Sequence, residues 1–366
     1  HCARVDFHRW VPAIERDLWG LQPPNALLFA SVQAAAKIRD LVAGHDIHVV
    51  QLEYTELGQY LAEVPEGVPT ILTEHDLAFR SFARRRQLRF QHRFPEGRAF
   101  GASRADWRRL LRYEVAVNRG ASQIHTMSAD DARFLARYLP DGAARIRVVP
   151  NGVDCSHYAR PNGGPPRSGV LYVGNFQNLP NVDALEYLAN DVWPLLRLRL
   201  SGARLDVVGA NTSDRIRRFD GHNGISVLGE VADLRSAYHG HRVMVAPIRA
   251  GSGTRLKILE AFAAGIPVVS TTLGAEGIPA VHGTHLLLAD TAVAFAREVE
   301  RVLTDDALAE SLSRAAAELV QSRYDWSLVA DRLLACYEEL LADLHPLRRE
   351  PPRDVLEILE PAAAHP

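Results

Sequence analysis

The chain has 366 residues, a formal net charge of −2, 47% hydrophobic residues and 23% charged residues. This length allows two domains with separate cores, and the balanced charge gives no overall attraction to nucleic acid or to a membrane. Three widely spaced cysteines form neither a disulfide framework nor a zinc pattern, and no apolar run reaches the roughly 18 residues of a membrane span. These features predict a globular protein of the reducing cytoplasm without a bound metal.

The first half of the chain alternates helical and apolar segments. Residues 10–43 favour helix, most clearly from Ala26 to Val42. Apolar runs at Ile47–Leu52 and Pro69–Thr73 predict buried parallel strands. His75 follows the second run, at the edge where open parallel sheets build their sites. A histidine that makes only a structural hydrogen bond is the alternative.

Residues 80–112 carry eleven arginines against two carboxylates, with aromatic residues interleaved. Such a stretch predicts peripheral contact with an anionic membrane, or with an anionic acceptor. A surface helix pair with solvated arginines stays open as the alternative. Nucleic acid is not expected as a partner, because no nucleic-acid motif accompanies the arginines.

A loop rich in proline and glycine runs from residue 150 to Gly169 and marks the best domain boundary. Before it, strands are predicted at Ser122–Thr126 and Ile146–Val149. After it, strands and helices alternate regularly, which predicts a doubly wound α/β sheet. The predicted strands are Val170–Val173, Leu205–Val208, Ile225–Leu228, Val243–Ala246, Pro267–Ser270 and His285–Ala289, and the first predicted helix is Asn181–Leu200.

A glycine-rich turn, Gly251-Ser252-Gly253-Thr254, joins one of these strands to a helix. The two glycines have no Cβ atoms to keep a ligand away from the backbone. Ser252 or Thr254 is expected to cap the helix, and the free N–H groups of its first turn attract an anion. We interpret the turn as a diphosphate-binding site.

Charged residues follow the turn. Arg255 and Lys257 place two cations at the positive helix end, which costs the bare helix ~0.3–1 kcal/mol each until an anion binds. Glu260 lies about 9 Å along the axis from Thr254, a suitable reach from a diphosphate to its ribose. The face with Lys257, Glu260, Ala261 and Ala264 is predicted to point away from the core. A solvated Lys257–Glu260 pair is the alternative.

Several motifs of nucleotide and metal chemistry are missing from the sequence. It contains no Gly-x-Gly-x-x-Gly fingerprint, Walker loop, His-Glu-x-x-His or Asp-x-Asp. A departing diphosphate would therefore be neutralised by cations and helix ends rather than by a metal clamp.

Four stretches resemble retaining glycosyltransferases of family 4 (glycosyl transferases group 1), most closely the bacterial sugar transferases of exopolysaccharide gene systems. They are Val149–Asp154, Tyr172–Phe176 with Leu179–Asp183, Gly251–Gly265, and Pro267–Thr271 with Gly274–Gly277. The resemblance implies the GT-B fold, an α/β architecture of two Rossmann-like domains whose parallel sheets face each other across a cleft. It implies an acceptor-side domain at 1–150, a nucleotide-sugar domain at 151–322 and a helix crossing back at 323–345. The tail at 346–366 is rich in proline, alanine and charged residues and is expected to be disordered.

The resemblance also implies roles for individual residues. Glu260 matches the second Glu of the family's Glu-x7-Glu motif and would hold the ribose, whereas Ser252 stands in place of the first Glu. His75 matches the histidine that points at the reacting sugar. Many members carry an Arg and a Lys for the diphosphate on a donor-side loop. The matching positions are uncharged here, so Arg255 and Lys257 are expected to substitute for them. The expected donor-binding residues are Gly174, Asn175, Gly251, Ser252, Gly253, Thr254, Arg255, Lys257 and Glu260.

The expected function is metal-independent, retaining transfer of a sugar from a UDP- or GDP-sugar to a polysaccharide or lipid-linked acceptor. No cofactor is expected, and the location is the cytoplasm or the inner membrane face. A nucleotide-sugar epimerase and a non-catalytic binding protein are the alternatives. The chain opens on His1-Cys-Ala-Arg-Val, which looks like the family interior. It is therefore expected to be a fragment, with an incomplete first domain and no signal peptide.

Overall fold

The computed structural model describes residues 23–90, 104–161 and 166–344, which form two parallel sheets flanked by helices. The first sheet has the order β1-β2-β3-β4, with β1 (Val50–Glu53), β2 (Thr70–Glu74), β3 (Gln123–Thr126) and β4 (Ile146–Val148). The second has the order β10-β9-β8-β5-β6-β7, with β5 (Val170–Val173), β6 (Leu205–Val208), β7 (Ile225–Gly229), β8 (Val243–Ala246), β9 (Val268–Ser270) and β10 (Leu287–Leu288). Each strand pairs in parallel with its neighbours, as predicted.

Helices connect the strands of both sheets. Those of the first half are α1 (Pro24–Leu28), α2 (Val32–Gly44), α3 (Ala78–Phe90), α4 (Arg104–Gly120), α5 (Ala129–Ala136) and α6 (Cys155–Tyr158), with 3-10 helices at Thr55–Glu63 and Pro140–Arg145. Those of the second half are α7 (Leu179–Tyr187), α8 (Trp193–Arg199), α9 (Asp214–Arg217), α10 (Leu234–Gly240), α11 (Leu256–Ala263), α12 (Ala292–Thr304), α13 (Asp306–Arg323) and α14 (Trp326–Leu344). No helix within the described ranges is long and apolar enough to cross a membrane.

Two helices that were predicted to be continuous are interrupted in the structure, so these predictions are wrong. The helix predicted from Ala26 to Val42 is broken between α1 and α2, where the Ser31 hydroxyl accepts the N–H of Ala34 and caps α2. A serine at this position favours a helix start over a helix interior. The helix predicted from Asn181 to Leu200 is interrupted by a π-helical segment at Leu188–Val192, between α7 and α8.

Helices cover both faces of the second sheet. Because the side chains on each face are buried, its strands are nearly continuous apolar runs. Trp193 and Phe295 are buried in the cluster on one face, and Tyr238 and Phe262 are buried in the cluster on the other. Strands buried on two sides are typical of parallel sheets with helical crossovers. This packing fixes the carboxyl ends of β5 and β8, from which the candidate site is built.

The last helix, α14, packs against the first sheet. Val149, at the end of β4, is buried with Val329 and Cys336 of α14. The Tyr337 hydroxyl donates to the side chain of Gln51, and Arg147 is paired with Glu339. The helix therefore ties the end of the chain to the first domain.

Candidate functional site

The glycine turn after β8 lies against the segment that follows β2. Oγ of Ser252 donates to Oδ2 of Asp76 at 3.0 Å and to the carbonyl oxygen of Leu77 at 3.3 Å. Gly253 has a φ of +78°, and a Cβ atom there would lie 2.9 Å from the carbonyl oxygen of His75. Only glycine fits this contact without strain. The two domains therefore meet at the carboxyl edges of their sheets.

The predicted caps of α11 are wrong. The helix begins at Leu256 with Arg255 as its N-cap and no capping side chain, because both hydroxyls bond to the first domain instead. Oγ1 of Thr254 donates to the carbonyl oxygen of Met127 at 3.5 Å. Among the described residues, the backbone N–H groups from Gly251 to Leu256 meet no acceptor. These donors are available to an anion.

The Arg255 guanidinium folds back onto the turn, and the residue is partly buried, with its Nε fully enclosed. It donates to the carbonyl oxygens of Ser252, Gly253 and Ala250, while its Nε has no hydrogen-bond partner in the described part of the chain. Burial lowers the pKa of Arg255 from its usual value, and the nearby Asp76 carboxylate opposes that shift. A partly buried cation with an unused donor favours an anionic ligand at this turn.

The Lys257 side chain crosses from α11 to the end of β5 and the start of α7. Its Nζ donates to the carbonyl oxygen of Val173 at 2.6 Å and to Oδ1 of Asn181 at 2.9 Å. Burial, and then the charge of Arg255, lower the pKa of Lys257 to about 7. The alternative of a solvated Lys257–Glu260 pair is therefore wrong.

The predicted division of α11 into a core face and an outer face is also wrong. Ala261 and Ala264 are completely buried, whereas Leu256 is 45% exposed. Helices α6 and α13 both pack against α11, so most of its surface is covered. A helix enclosed in this way loses the two-sided pattern of a surface helix.

A cavity of about 500 Å³ opens beside the turn. Gly251 and Ser252 line it from the turn, and Arg255 and Lys257 line it from the start of α11. Residues 177–181, Ile248, Asp76 and Ser81 also line it. The cavity therefore combines two partly buried basic side chains, free backbone N–H groups and one carboxylate from the opposite domain.

The other predicted site residues lie around this cavity rather than on its wall. Nε2 of His75 lies 2.7 Å from Oε2 of Glu53, and its ring centroid lies 4.2 Å from that of Tyr54. Oε2 of Glu260 accepts a hydrogen bond from the Tyr238 hydroxyl at 2.8 Å. Their side chains are thus held by neighbours on each side of the turn.

Gly174 and Asn175 form the loop directly after β5. The N–H of Gly174 donates to the carbonyl oxygen of Val208 at 3.0 Å. Oδ1 of Asn175 accepts from the N–H of Gln177 at 3.0 Å and from Nδ2 of Asn211 at 2.9 Å. These bonds shape the loop that carries the cavity residues 177–181.

Arg84 and Glu276 also help to hold the turn, although the sequence analysis gives neither residue an individual role. Nη1 of Arg84 donates to the carbonyl oxygen of Gly251 at 3.0 Å and also bonds Glu276. Arg80 bonds both Asp131 and the same Glu276. In the sequence, Arg84 is marked only as part of the basic stretch, and Glu276 only as part of the Gly274–Gly277 motif. Neither feature points to a contact with the glycine turn.

The same contacts bear on the predicted membrane patch at residues 80–112. Arg80 and Arg84 are engaged with carboxylates, and Phe79 is buried in the core of the first domain. Nε1 of Trp107 donates to the Phe79 carbonyl oxygen at 3.0 Å. Residues 91–103 of the patch, and the predicted tail at 346–366, lie outside the described residues.

Two family models together match most of the chain. A family model described as Glycosyltransferase Family 4 matches residues 4–157, and one described as Glycosyl transferases group 1 matches residues 167–305. An uncharacterized 44.6 kDa protein in the cps region of Klebsiella pneumoniae is 28% identical over 165 residues, 43% of this chain and 42% of that protein. The phosphatidyl-myo-inositol mannosyltransferase of Mycobacterium leprae is 32% identical over 200 residues, 52% of each protein. The matched region spans about half the length of these relatives.

Comparison with solved structures agrees on the fold. The crystal structure of Anabaena Alr3699/HepE in complex with UDP superposes with a TM-score of 0.63 at 16% identity, covering 87% of this chain and 85% of that one. At this identity the likeness shows the two-domain architecture alone. The paired parallel sheets and the two family matches lead to one conclusion: the chain belongs to glycosyltransferase family 4, the glycosyl transferases group 1, and has the GT-B fold.

Proposed function

We propose that the chain is a retaining, metal-independent glycosyltransferase that moves a sugar from a UDP- or GDP-sugar to a polysaccharide or lipid-linked acceptor. The cavity beside the glycine turn carries this proposal. A diphosphate there would accept hydrogen bonds from the free N–H groups and neutralise Arg255 and Lys257. UDP bound in the HepE structure supports a nucleotide-sugar donor, and the name of the Mycobacterium leprae relative, a phosphatidyl-myo-inositol mannosyltransferase, supports a lipid-linked acceptor.

The proposed chemistry depends mainly on the departing diphosphate. The bond from the anomeric carbon to the phosphate oxygen breaks, the bond to the acceptor oxygen forms, and the acceptor proton passes to the departing phosphate. Preorganised donors in a dry site usually make the largest contribution to such a reaction. Arg255, Lys257 and the N–H groups of the turn take that role, so no metal is assigned to it.

The remaining residues position the donor. Tyr238 holds Oε2 of Glu260, and the carboxylate is assigned to the ribose hydroxyls. His75, held by Glu53, is assigned to the donor sugar. Gly174 and Asn175 shape the loop beside the nucleotide.

Nucleotide binding tests the proposal directly. UDP and GDP are titrated into the wild-type chain by calorimetry, and a thermal shift is recorded with each nucleotide at 100 times its Kd, where binding adds about 2.7 kcal/mol of stability. Glu260→Ala should weaken binding at least tenfold. Glu318→Ala, an exposed carboxylate on α13, is the matched control and should bind like the wild type. If Glu260→Ala bound the nucleotide with the same affinity as the wild type, the assignment of Glu260 to the ribose would be wrong.

Turnover separates the proposed reaction from its alternatives. A nucleotide-sugar epimerase converts the donor without an acceptor, whereas a transferase hydrolyses it slowly at most. A binding protein holds the nucleotide and turns over no donor with any acceptor. Mass spectrometry of reactions with and without a glycan acceptor distinguishes the three.

The acceptor side and the location stay part of the proposal. Because Arg80 and Arg84 are engaged with Glu276, membrane contact would fall to the other arginines of residues 80–112. Flotation with vesicles of anionic lipid, compared with vesicles of neutral lipid, tests contact with the inner membrane face. Equal recovery with both would contradict it.

A further inference from the structure

Resting on the proposed function, we propose that Asp76 is a second donor-sugar residue beside His75: its carboxylate accepts hydrogen bonds from hydroxyl groups of the donor sugar. The glycine turn itself carries no carboxylate, because Ser252 stands where the resemblance places the first Glu of the Glu-x7-Glu motif. Asp76 supplies the missing group from the opposite domain. The assignment uses a residue of the first sheet to complete a site on the second.

The first argument is geometric. Oγ of Ser252 donates to Oδ2 of Asp76 at 3.0 Å, so the carboxylate lies within one hydrogen bond of the side chain that replaces the glutamate. A Cβ atom on Gly253 would lie 3.0 Å from the Asp76 Cβ, which shows how closely the turn packs against this residue. Asp76 is thereby fixed in position relative to the turn.

The second argument is the remaining capacity of the carboxylate. Asp76 lines the cavity together with Arg255 and Lys257. Of the described side chains, only Ser252 hydrogen-bonds the carboxylate, through Oδ2. Oδ1 is thus available to a hydroxyl donor, and bonds to an ionised acceptor are stronger than neutral ones.

The third argument is the distribution of charge along the cavity. The two cations lie on the α11 side, where a diphosphate would accept hydrogen bonds. Asp76 enters the same cavity from the first domain, next to His75 in the chain. Hydroxyl groups suit a carboxylate and a diphosphate suits the cations, so a donor would extend from α11 towards Asp76.

A purely structural role for Asp76, as the anchor of Ser252, makes different predictions. Asp76→Asn keeps an oxygen that accepts from Ser252 but removes the negative charge. Ser252→Ala removes the anchor but keeps the charge. If Asp76 only anchors the turn, Ser252→Ala should be the more damaging change. If Asp76 binds the sugar, Asp76→Asn should be the more damaging change.

The experiment measures the Kd of the free nucleotide and of the nucleotide-sugar for each variant, using UDP with UDP-glucose and GDP with GDP-mannose. We expect Asp76→Asn to bind the free nucleotide within twofold of the wild type and the nucleotide-sugar roughly tenfold more weakly. Ser252→Ala should change both affinities by less than threefold. Asp76→Asn/Ser252→Glu, which returns a carboxylate to the turn, should regain part of the lost affinity.

Two outcomes separate the inference from the proposed function. Unchanged nucleotide-sugar affinity in Asp76→Asn, with nucleotide binding intact in the wild type, would overturn the role of Asp76 alone. Failure of the wild-type chain to bind any of the four ligands would overturn the proposed function and this inference with it. Equal loss of free-nucleotide and nucleotide-sugar affinity in Asp76→Asn would assign the residue to the turn and not to the sugar.

Discussion

Nζ of Lys257 lies 2.9 Å from Oδ1 of Asn181, and this bond brings the α11 lysine to the first turn of α7, directly after the loop that follows β5. The resemblance to family 4 expects an Arg and a Lys on that loop, where this chain has only uncharged residues. A long side chain from the neighbouring helix therefore delivers the charge to the same place. The bond supports the expectation that Lys257 substitutes for a loop cation.

The first prediction concerns the pH dependence of nucleotide binding. Burial and Arg255 lower the pKa of Lys257 to about 7, so Lys257 is largely neutral above that pH without a ligand. A diphosphate favours the charged form and raises this pKa, so binding takes up a proton. We expect UDP affinity to fall by up to about tenfold per pH unit between pH 7 and 9. Calorimetry in buffers of different ionisation enthalpy measures the uptake.

Lys257→Met provides the test of that assignment. This variant should bind UDP more weakly and lose the pH slope, because the group to which the titration is assigned is gone. Lys37→Met removes the chain's other lysine, which is exposed on α2, and should keep the slope. A slope that survives in Lys257→Met would assign the titration to another group.

The second prediction concerns a buried carboxylate in the first domain. Burial raises the pKa of Glu74 from its usual 4.5 to about 8, against the opposing bonds from Thr55 and Asn118. The folded chain therefore binds more protons than the unfolded chain across this interval, and the free energy of unfolding falls as pH rises from 4.5 to 8. Glu74→Gln should reduce this fall by on the order of 2–4 kcal/mol. Urea unfolding at pH 5, 6.5 and 8 measures the difference.

A matched carboxylate removes the ambiguity of this measurement. Glu318→Gln changes an exposed carboxylate on α13 and should reproduce the wild-type dependence. Burial and then Glu74 also raise the pKa of Glu114, whose carboxylate accepts the N–H groups of Ala78 and Phe79. Part of the dependence should therefore persist in Glu74→Gln. Identical curves for Glu74→Gln and the wild type would show that Glu74 does not titrate in this interval.

The third prediction uses two glycines with similar backbone angles. Gly253 (φ +78°) has no room for a Cβ, whereas Gly265 (φ +62°) has nothing within 4 Å of that position. Each alanine substitution should lower the free energy of unfolding by about 1 kcal/mol, because alanine rarely adopts the left-handed conformation. Only Gly253→Ala should also displace the turn and weaken UDP binding at least tenfold. Comparable UDP affinities in the two variants would show that the contact with His75 is dispensable.

The fourth prediction concerns the pairing of Arg80 and Arg84 with Glu276. Glu276→Ala leaves two half-buried guanidinium groups without this carboxylate, and should lower the free energy of unfolding by about 1–3 kcal/mol. Small-angle scattering should show a larger radius of gyration, because the pairing joins the two domains. Asp130→Ala removes the partner of Arg133, which is 75% exposed, and should change stability by less than ~0.5 kcal/mol. An unchanged radius in Glu276→Ala would show that other contacts hold the domains together.

The second sheet was largely predictable because its strands are short apolar runs between polar loops. The predicted bounds of Val170–Val173, Leu205–Val208 and Val243–Ala246 match β5, β6 and β8. Burial on both faces leaves no polar alternation to blur the ends of such strands.

The contacts of the site were not predictable from local patterns. Ser252 looks like a helix cap from its neighbours in sequence, yet it bonds Asp76, which is 176 positions away. Lys257 looks like a solvated partner of Glu260, yet it bonds Asn181 on another helix, α7. Rules for capping and helical spacing assume that no tertiary partner competes, and at a domain interface such partners do compete.

The glycine turn belongs to the second domain by sequence, but Asp76, Leu77, Arg84 and Met127 of the first domain hold it in place. A chimera that joined this second half to the first half of a relative would carry the turn without its supports. Engineers who exchange halves to alter donor or acceptor choice should therefore transplant residues 75–84 and 127–131 with the turn. Otherwise a loss of activity could result from a mismatched domain interface rather than from a wrong substrate.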